Sequence, residues 1–261
     1  MKKLVLTLAI CLGCMGILGA QNVWKPINGT GILGVGSDGS IFAYDEYGKL
    51  TRSQDEGETW QIVLGQETGF TGHINSSCFS VSNEGRICVF NDNQQTVVYS
   101  DDNGDTWQQT PTISQCGMPT KAGICAPTND IIVVWAKEGE IHFTLDGGET
   151  WDFSTLNSWT EDPWINDLIV NEAGDVYIGL SSGGDYAGGV FHSTLNDGLI
   201  NWTSAAFWGV SIFQMEFDPE GNVVAGSNWD SSMPIPQEFG FYLLPETNNF
   251  VIADNAYAAN P

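Results

Sequence analysis

Three octapeptides in this chain are nearly superimposable, and their spacing restricts the fold more than any other feature. They read Ser53-Gln54-Asp55-Glu56-Gly57-Glu58-Thr59-Trp60, Ser100-Asp101-Asp102-Asn103-Gly104-Asp105-Thr106-Trp107 and Thr144-Leu145-Asp146-Gly147-Gly148-Glu149-Thr150-Trp151, with starts 47 and 44 residues apart. A looser fourth copy, Ser193 to Trp202, keeps Asn196-Asp197-Gly198 and the Trp. A second signal recurs in step: Asp38-Gly39, Glu84-Gly85, Asn129-Asp130, Ala173-Gly174 and Glu220-Gly221, spaced 44 to 47 residues, each opening a β-branched or aromatic run. One local pattern at one period means one supersecondary unit used repeatedly. Five units are visible.

Each unit reads as strand, tight turn, strand, looser loop, strand, octapeptide turn, strand. In unit two the runs are Cys78–Val81, Ile87–Phe90, Val97–Tyr99 and Trp107–Thr110. Four short antiparallel strands recurring at this period predict an all-β propeller, with blades near 31–68, 72–115, 121–158, 164–206 and 211–255. No helical periodicity of useful length interrupts them. Asn22 to Pro26 reads like the strand that follows an octapeptide, so it is expected to be a closing strand for the last blade. Tyr257 to Pro261 reads like the lead into another blade's first turn. We therefore expect a piece of a six- to eight-bladed ring, the alternative being a complete five-bladed one.

The first twenty residues read as an address. Met1-Lys2-Lys3 is a basic start, Leu4 to Leu18 is apolar, and Leu18-Gly19-Ala20 offers small residues for cleavage. Residues 1–20 are read as a signal peptide and 21–261 as the propeller of a secreted, periplasmic or cell-surface protein. A lipoprotein anchored through Cys14 is the less favoured alternative. With 32 acidic and 8 basic residues, the net charge of −24 excludes nucleic acid as a natural partner, since little is available to neutralise phosphate. No segment of the mature chain is long and apolar enough to span a membrane. Cys78, Cys88, Cys116 and Cys125 remain after cleavage, an even number that suggests disulfides in an exported chain. Cys78 and Cys88 flank the turn at Ser82–Gly85 and could pair across a hairpin. No CxxC is present and the three His lack zinc spacing, so no metal is expected. No cofactor is expected either: no P-loop or dinucleotide fingerprint occurs.

The octapeptide matches the pattern S/T-x-D-x-G-x-T-W, and the chain therefore resembles the Asp-box (BNR-repeat) β-propellers. That superfamily includes sialidases, some glucan-cleaving hydrolases, sortilin-type receptors and photosystem assembly factors. Simple chemistry accounts for the motif as structure. Asp55, Asp102 and Asp146 can accept turn N–H groups, and Ser53, Ser100 and Thr144 add a hydroxyl. Gly57, Gly104 and Gly148 permit a positive φ, and Trp60, Trp107 and Trp151 can anchor the last strand between blades. A calcium loop is the alternative, but EF-hand ligand spacing is absent. The resemblance to sialidases implies three arginines clamping a substrate carboxylate, yet only Arg52 and Arg86 exist. Sialidase activity is therefore not expected.

In a propeller the octapeptide turns and the first Gly turns share one face. Blade-to-blade connections and the second-to-third strand loops share the other, where ligands usually bind. On that second face the sequence places Asp45 to Tyr47, Asn91 to Gln95, Trp159, Trp164, Tyr186, Trp208 and Trp229, with Lys121, Lys137 and His73 as cations. Aromatic rings beside carboxylates and amides suit a neutral sugar. Trp159, Trp164, Tyr186, Trp208 and Trp229 are the ligand-binding candidates. The expected function is a non-catalytic exported binding module for a neutral glycan or a protein partner. The alternative is a glycoside hydrolase using paired carboxylates, with Asp162, Asp185 and Asp230 as weak catalytic candidates.

Overall fold

The computed structural model describes residues 31–252 except 46, 75–76, 114–121, 137–138, 157–163, 182–187, 207–210, 228–240 and 245–248. Among these residues, hydrophobic runs between turn residues form twenty strands in five antiparallel sheets. Blade one holds β1 (Gly31–Val35), β2 (Ile41–Tyr44), β3 (Leu50–Ser53) and β4 (Gln61–Leu64). Blade two holds β5 (Phe79–Val81), β6 (Ile87–Asn91), β7 (Thr96–Ser100) and β8 (Gln108–Gln109). Blade three holds β9 (Ala122–Cys125), β10 (Ile132–Ala136), β11 (Glu140–Thr144) and β12 (Asp152–Thr155). Blade four holds β13 (Ile165–Val170), β14 (Asp175–Leu180), β15 (Gly189–Thr194) and β16 (Thr203–Ala206). Blade five holds β17 (Ile212–Phe217), β18 (Val223–Ser227), β19 (Phe241–Leu244) and β20 (Asn249–Ile252). Each sheet runs in sequence order, and the first strands of consecutive blades touch, β1 to β5, β9, β13 and β17 in turn.

Alternation along the strands puts apolar side chains on both faces of a blade, so the core is a series of seams. Phe42 and Leu50 of blade one meet Phe79, Ile87 and Val89 of blade two. Cys88, Phe90 and Val97 of blade two meet Ile124, Ile132 and Val134 of blade three. Ile141 and Phe143 of blade three meet Leu168, Val176 and Ile178 of blade four. Ile169 and Tyr177 meet Ile212, Met215 and Val223 in the fourth seam. Trp107 packs into the first seam, Trp151 into the second, and Trp202 of the degenerate copy into the third.

Two expectations about chain ends and cysteines fare differently. Residues 22–26 lie outside the described residues. The expected disulfides are corrected: among the described residues, Cys78, Cys88 and Cys125 take part in no disulfide. Strand register is the reason. Cys88 sits opposite Ser80, whereas the Cys78 carbonyl accepts the Phe90 N–H, so the two thiols never share a cross-strand position. Burial pushes the Cys88 and Cys125 thiols up to about 12, which makes them inert. Cys116 lies outside the described residues. No described helix is long and apolar enough to cross a membrane.

Candidate functional site

The described octapeptide turns are closed by their own side chains. In the first copy the Ser53 hydroxyl accepts the Gly57 N–H at 2.8 Å, while Asp55 accepts the Thr59 N–H at 2.8 Å and the Thr59 hydroxyl at 2.6 Å. Copies two and three repeat this through Ser100 with Asp102 and Thr144 with Asp146. Gly57, Gly104 and Gly148 take φ of 88°, 89° and 99°, where a side chain would be strained. The hydrogen bonds, led by the Thr hydroxyl, hold the Asp55 and Asp102 carboxyls at about 2. Both oxygens of each box carboxylate are thus committed to the turn. Among the described residues, no three His, Cys, Asp or Glu side chains gather where they could hold a metal ion.

Arg52 and Arg86, the two arginines of the sequence, are committed to the same face. Arg52, only 7% exposed, donates to the Asn103 carbonyl of blade two at 2.7 Å and pairs with Asp105. Arg86 grips Asp101 through Nε and Nη2 at 2.7 and 3.0 Å. It also donates to the Asn129 carbonyl of blade three at 2.9 Å and lies 4.3 Å from the centre of the Tyr99 ring. Each arginine fastens one blade to the next. Neither is available to clamp a ligand carboxylate on the opposite face.

That opposite face has a cleft of about 490 Å³ at the seam of blades one and two, lined by Tyr47, Gly48, Lys49, Gly65, Gln66, Phe70, Thr71, Gly72 and His73. One wall is the tight β2–β3 turn, in which Asp45 accepts the Tyr47 and Lys49 N–H groups at 2.9 Å each. The other wall is the connection from β4 to β5. Its single 3-10 turn, Gln66–Thr68, is tied by Gly65 N–H to Thr68 Oγ1 at 2.9 Å and Phe70 N–H to the Gly65 carbonyl at 3.1 Å. Blade two supports this wall. Asp92 accepts the His73 N–H at 3.1 Å and faces His73 Nδ1 at 3.2 Å, and Asn93 donates to the Thr71 carbonyl. Gly72 is wedged so closely that an added Cβ would lie 2.8 Å from the Phe70 ring and 3.1 Å from Asn91 Cα. Phe70 is buried below, while Tyr47 stands 76% exposed at the rim.

Of the sequence-derived candidates, Trp164 lies on this face, immediately before β13 and 43% exposed, with its carbonyl accepting the Ser181 N–H. Trp159, Tyr186, Trp208, Trp229, Asp162, Asp185, Asp230, Lys121 and Lys137 lie outside the described residues. Tyr47, His73 and the Asn91–Gln95 loop come together at the cleft. Gln66, Phe70 and Thr71 were missed by sequence reasoning, because their connection lacks the aromatic-plus-carboxylate composition. Its Gly65, Gly69 and Gly72 spacing is the signal that marks a closely packed loop.

No protein-family profile matches the chain, and no curated protein matches it. Solved structures do. YCF48 bound to D1 peptide shares 18% identity at a TM-score of 0.51, over 81% of this chain and 64% of its own. The Niastella koreensis GH74 enzyme shares 14% at 0.56, over 86% of this chain and 38% of its own. The extracellular domain of BT4673 from B. thetaiotaomicron shares 13% at 0.59, over 88% of this chain and 29% of its own. The fold is a β-propeller. At these identities the likeness extends to the fold alone, and the chain spans 64% of the length of that YCF48 and much less of the other two.

Proposed function

We propose that this propeller is an exported, non-catalytic binding module of the Asp-box kind, and that it recognises a neutral glycan on the face opposite the octapeptides. The observation that carries the reading is the division of labour between faces. Every described box carboxylate and both arginines are spent on turns and seams, whereas the loop face presents an open cleft and solvent-facing Trp164 and Tyr47 rings. Rings of this kind stack on the CH face of a sugar. A net charge of −24 with no arginine to spare disfavours an acidic glycan. Export rests on the Met1–Ala20 segment. Trp159, Tyr186, Trp208 and Trp229 are proposed to extend the same aromatic rim. A protein partner is the competing ligand class: among the structural neighbours, YCF48 was solved with a D1 peptide.

Calorimetric titration with neutral and acidic oligosaccharides, alongside a reducing-end assay, tests this. Neutral oligosaccharides should bind without new reducing ends appearing. Trp164→Ala should weaken binding by roughly 1–3 kcal/mol, the range for losing a well-packed contact, and should melt like the parent because the ring is solvent-facing. Release of reducing ends would move the reading to a glycoside hydrolase. Binding of peptides but no sugar would replace the glycan with a protein partner.

A further inference from the structure

The seam cleft has features that an incidental gap between loops would lack. Its volume of about 490 Å³ falls inside the range of small-ligand sites. Its two walls come from different parts of the chain and are fixed independently. The β2–β3 turn is locked by Asp45. The 65–73 connection is locked by Thr68 from within and by Asp92 and Asn93 from blade two. Little ordering remains for a ligand to impose, which is how preorganised sites avoid the entropic cost of binding.

The lining chemistry is selective. In a chain with 32 acidic residues, none of the nine lining residues among those described is Asp or Glu. They offer one exposed ring (Tyr47), an amide (Gln66), an ammonium (Lys49), a hydroxyl (Thr71), an imidazole (His73) and the backbone of three glycines. Asp92 lies against Nδ1 of His73 at 3.2 Å, which leaves Nε2 of that 73%-exposed ring as the nitrogen open to a ligand. We infer that the cleft is a sugar subsite separate from the rim at Trp164. In it one neutral pyranose stacks on Tyr47, and its hydroxyls bond to Gln66, Lys49, Thr71 and His73 Nε2. The assignment rests on the glycan reading proposed above and narrows it to a residue set on blade one and its connection. A hydroxyl-rich neutral ring satisfies this mixture of donors and acceptors. An anionic ring gains from Lys49 but is opposed by the acidic molecule around it.

The test titrates the full chain with a neutral β-glucan hexasaccharide and a uronic-acid hexasaccharide, using the parent, Tyr47→Ala, Tyr47→Phe, Gln66→Ala and Trp164→Ala. Tyr47→Ala and Gln66→Ala should each weaken neutral-sugar binding about tenfold, a change of about 1.4 kcal/mol, while Tyr47→Phe keeps the platform and binds within about twofold of the parent. Unchanged binding in Tyr47→Ala together with weakened binding in Trp164→Ala overturns the cleft and spares the wider reading. Failure of the parent to bind either sugar overturns both. Preference for the uronic-acid ligand overturns the assignment to a neutral ring. Unchanged melting temperatures in the Tyr47 variants, expected from its exposure, separate loss of binding from loss of fold.

Discussion

Ser100 is 1% exposed, and its hydroxyl accepts the N–H of Gly104 inside the turn, while Asp102 takes the Thr106 N–H and hydroxyl at the surface. Water can replace Asp102 as an acceptor but cannot reach Gly104. Ser100→Ala should therefore cost about 1–3 kcal/mol, and Asp102→Ala only about 0.5–1.5 kcal/mol, measured by urea unfolding. A larger loss in the Asp102 variant would mean that the carboxylate, and not the hydroxyl, is the anchor. The Asp102 carboxyl falls from 3.8 to about 2 in the fold. Its contribution is thus fully present above 3.8, neutral pH included, and fades as pH drops towards 2. The fourth box position was invisible in the sequence: Glu56 and Asn103 hold φ of 59° and 56°, left-handed values that only Gly147 adopts without strain. Glu56→Gly should raise stability by about 0.5–1 kcal/mol, the relief of left-handed strain less the added chain entropy of glycine.

At the level of strands, the join between β13 and β17 contains a carboxyl that the sequence did not flag. A register shift between Ile165 and Asp167 turns Asp167 into the seam, where it accepts the Met215 N–H of blade five at 2.6 Å and the Leu168 N–H at 2.9 Å. Asn166 adds a hydrogen bond to the Ile212 carbonyl at 2.8 Å. Burial, with a smaller push from Glu216, raises Asp167 from 3.8 to about 6 against the pull of those two N–H groups. The folded state therefore prefers the proton. This preference stabilises the fold fully below pH 3.8 and is lost as pH rises to 6, a swing of about 3 kcal/mol at most. Asp167→Asn keeps an acceptor and removes the charge. It should be more stable than the parent at pH 7.5, by about 1–3 kcal/mol, and lose that advantage at pH 4. Parallel stability–pH curves for the two proteins would show that Asp167 does not titrate in this window.

Across the whole molecule, stability depends on seams and on the two arginines that cross them. Arg86→Lys keeps the charge but cannot hold Asp101 in a fork while also reaching the Asn129 carbonyl. It should destabilise by about 1–2 kcal/mol, the scale of a lost charge-assisted hydrogen bond, and leave sugar binding unchanged because the loop face is remote. Weaker binding in this variant would link the two faces. Affinity for a neutral sugar should also change less than about twofold between 50 and 500 mM salt, since screening acts only on charged partners. A steep salt dependence would point to a charged ligand.

The octapeptides, the Gly turns and the runs between them specified the blades from sequence alone, because each turn and hairpin closes within about ten residues and its residue types are dictated by local backbone geometry. Trp107 and Trp151 directly follow such turns, and both pack into seams. Cysteine pairing was not legible in this way, since a shift of strand register moves a side chain away from its expected partner, and Cys88 ends opposite Ser80. The cleft was half legible: Tyr47, His73 and the 91–95 loop sat on the expected face, but Gln66, Phe70 and Thr71 reached them only when blade two fixed the connection through Asp92 and Asn93. Likewise the sequence could count two arginines, but only the packed blades decided that both are consumed at seams. Local chemistry sets the repeating unit, and contacts between units, which have no local signature, set what its surface can bind.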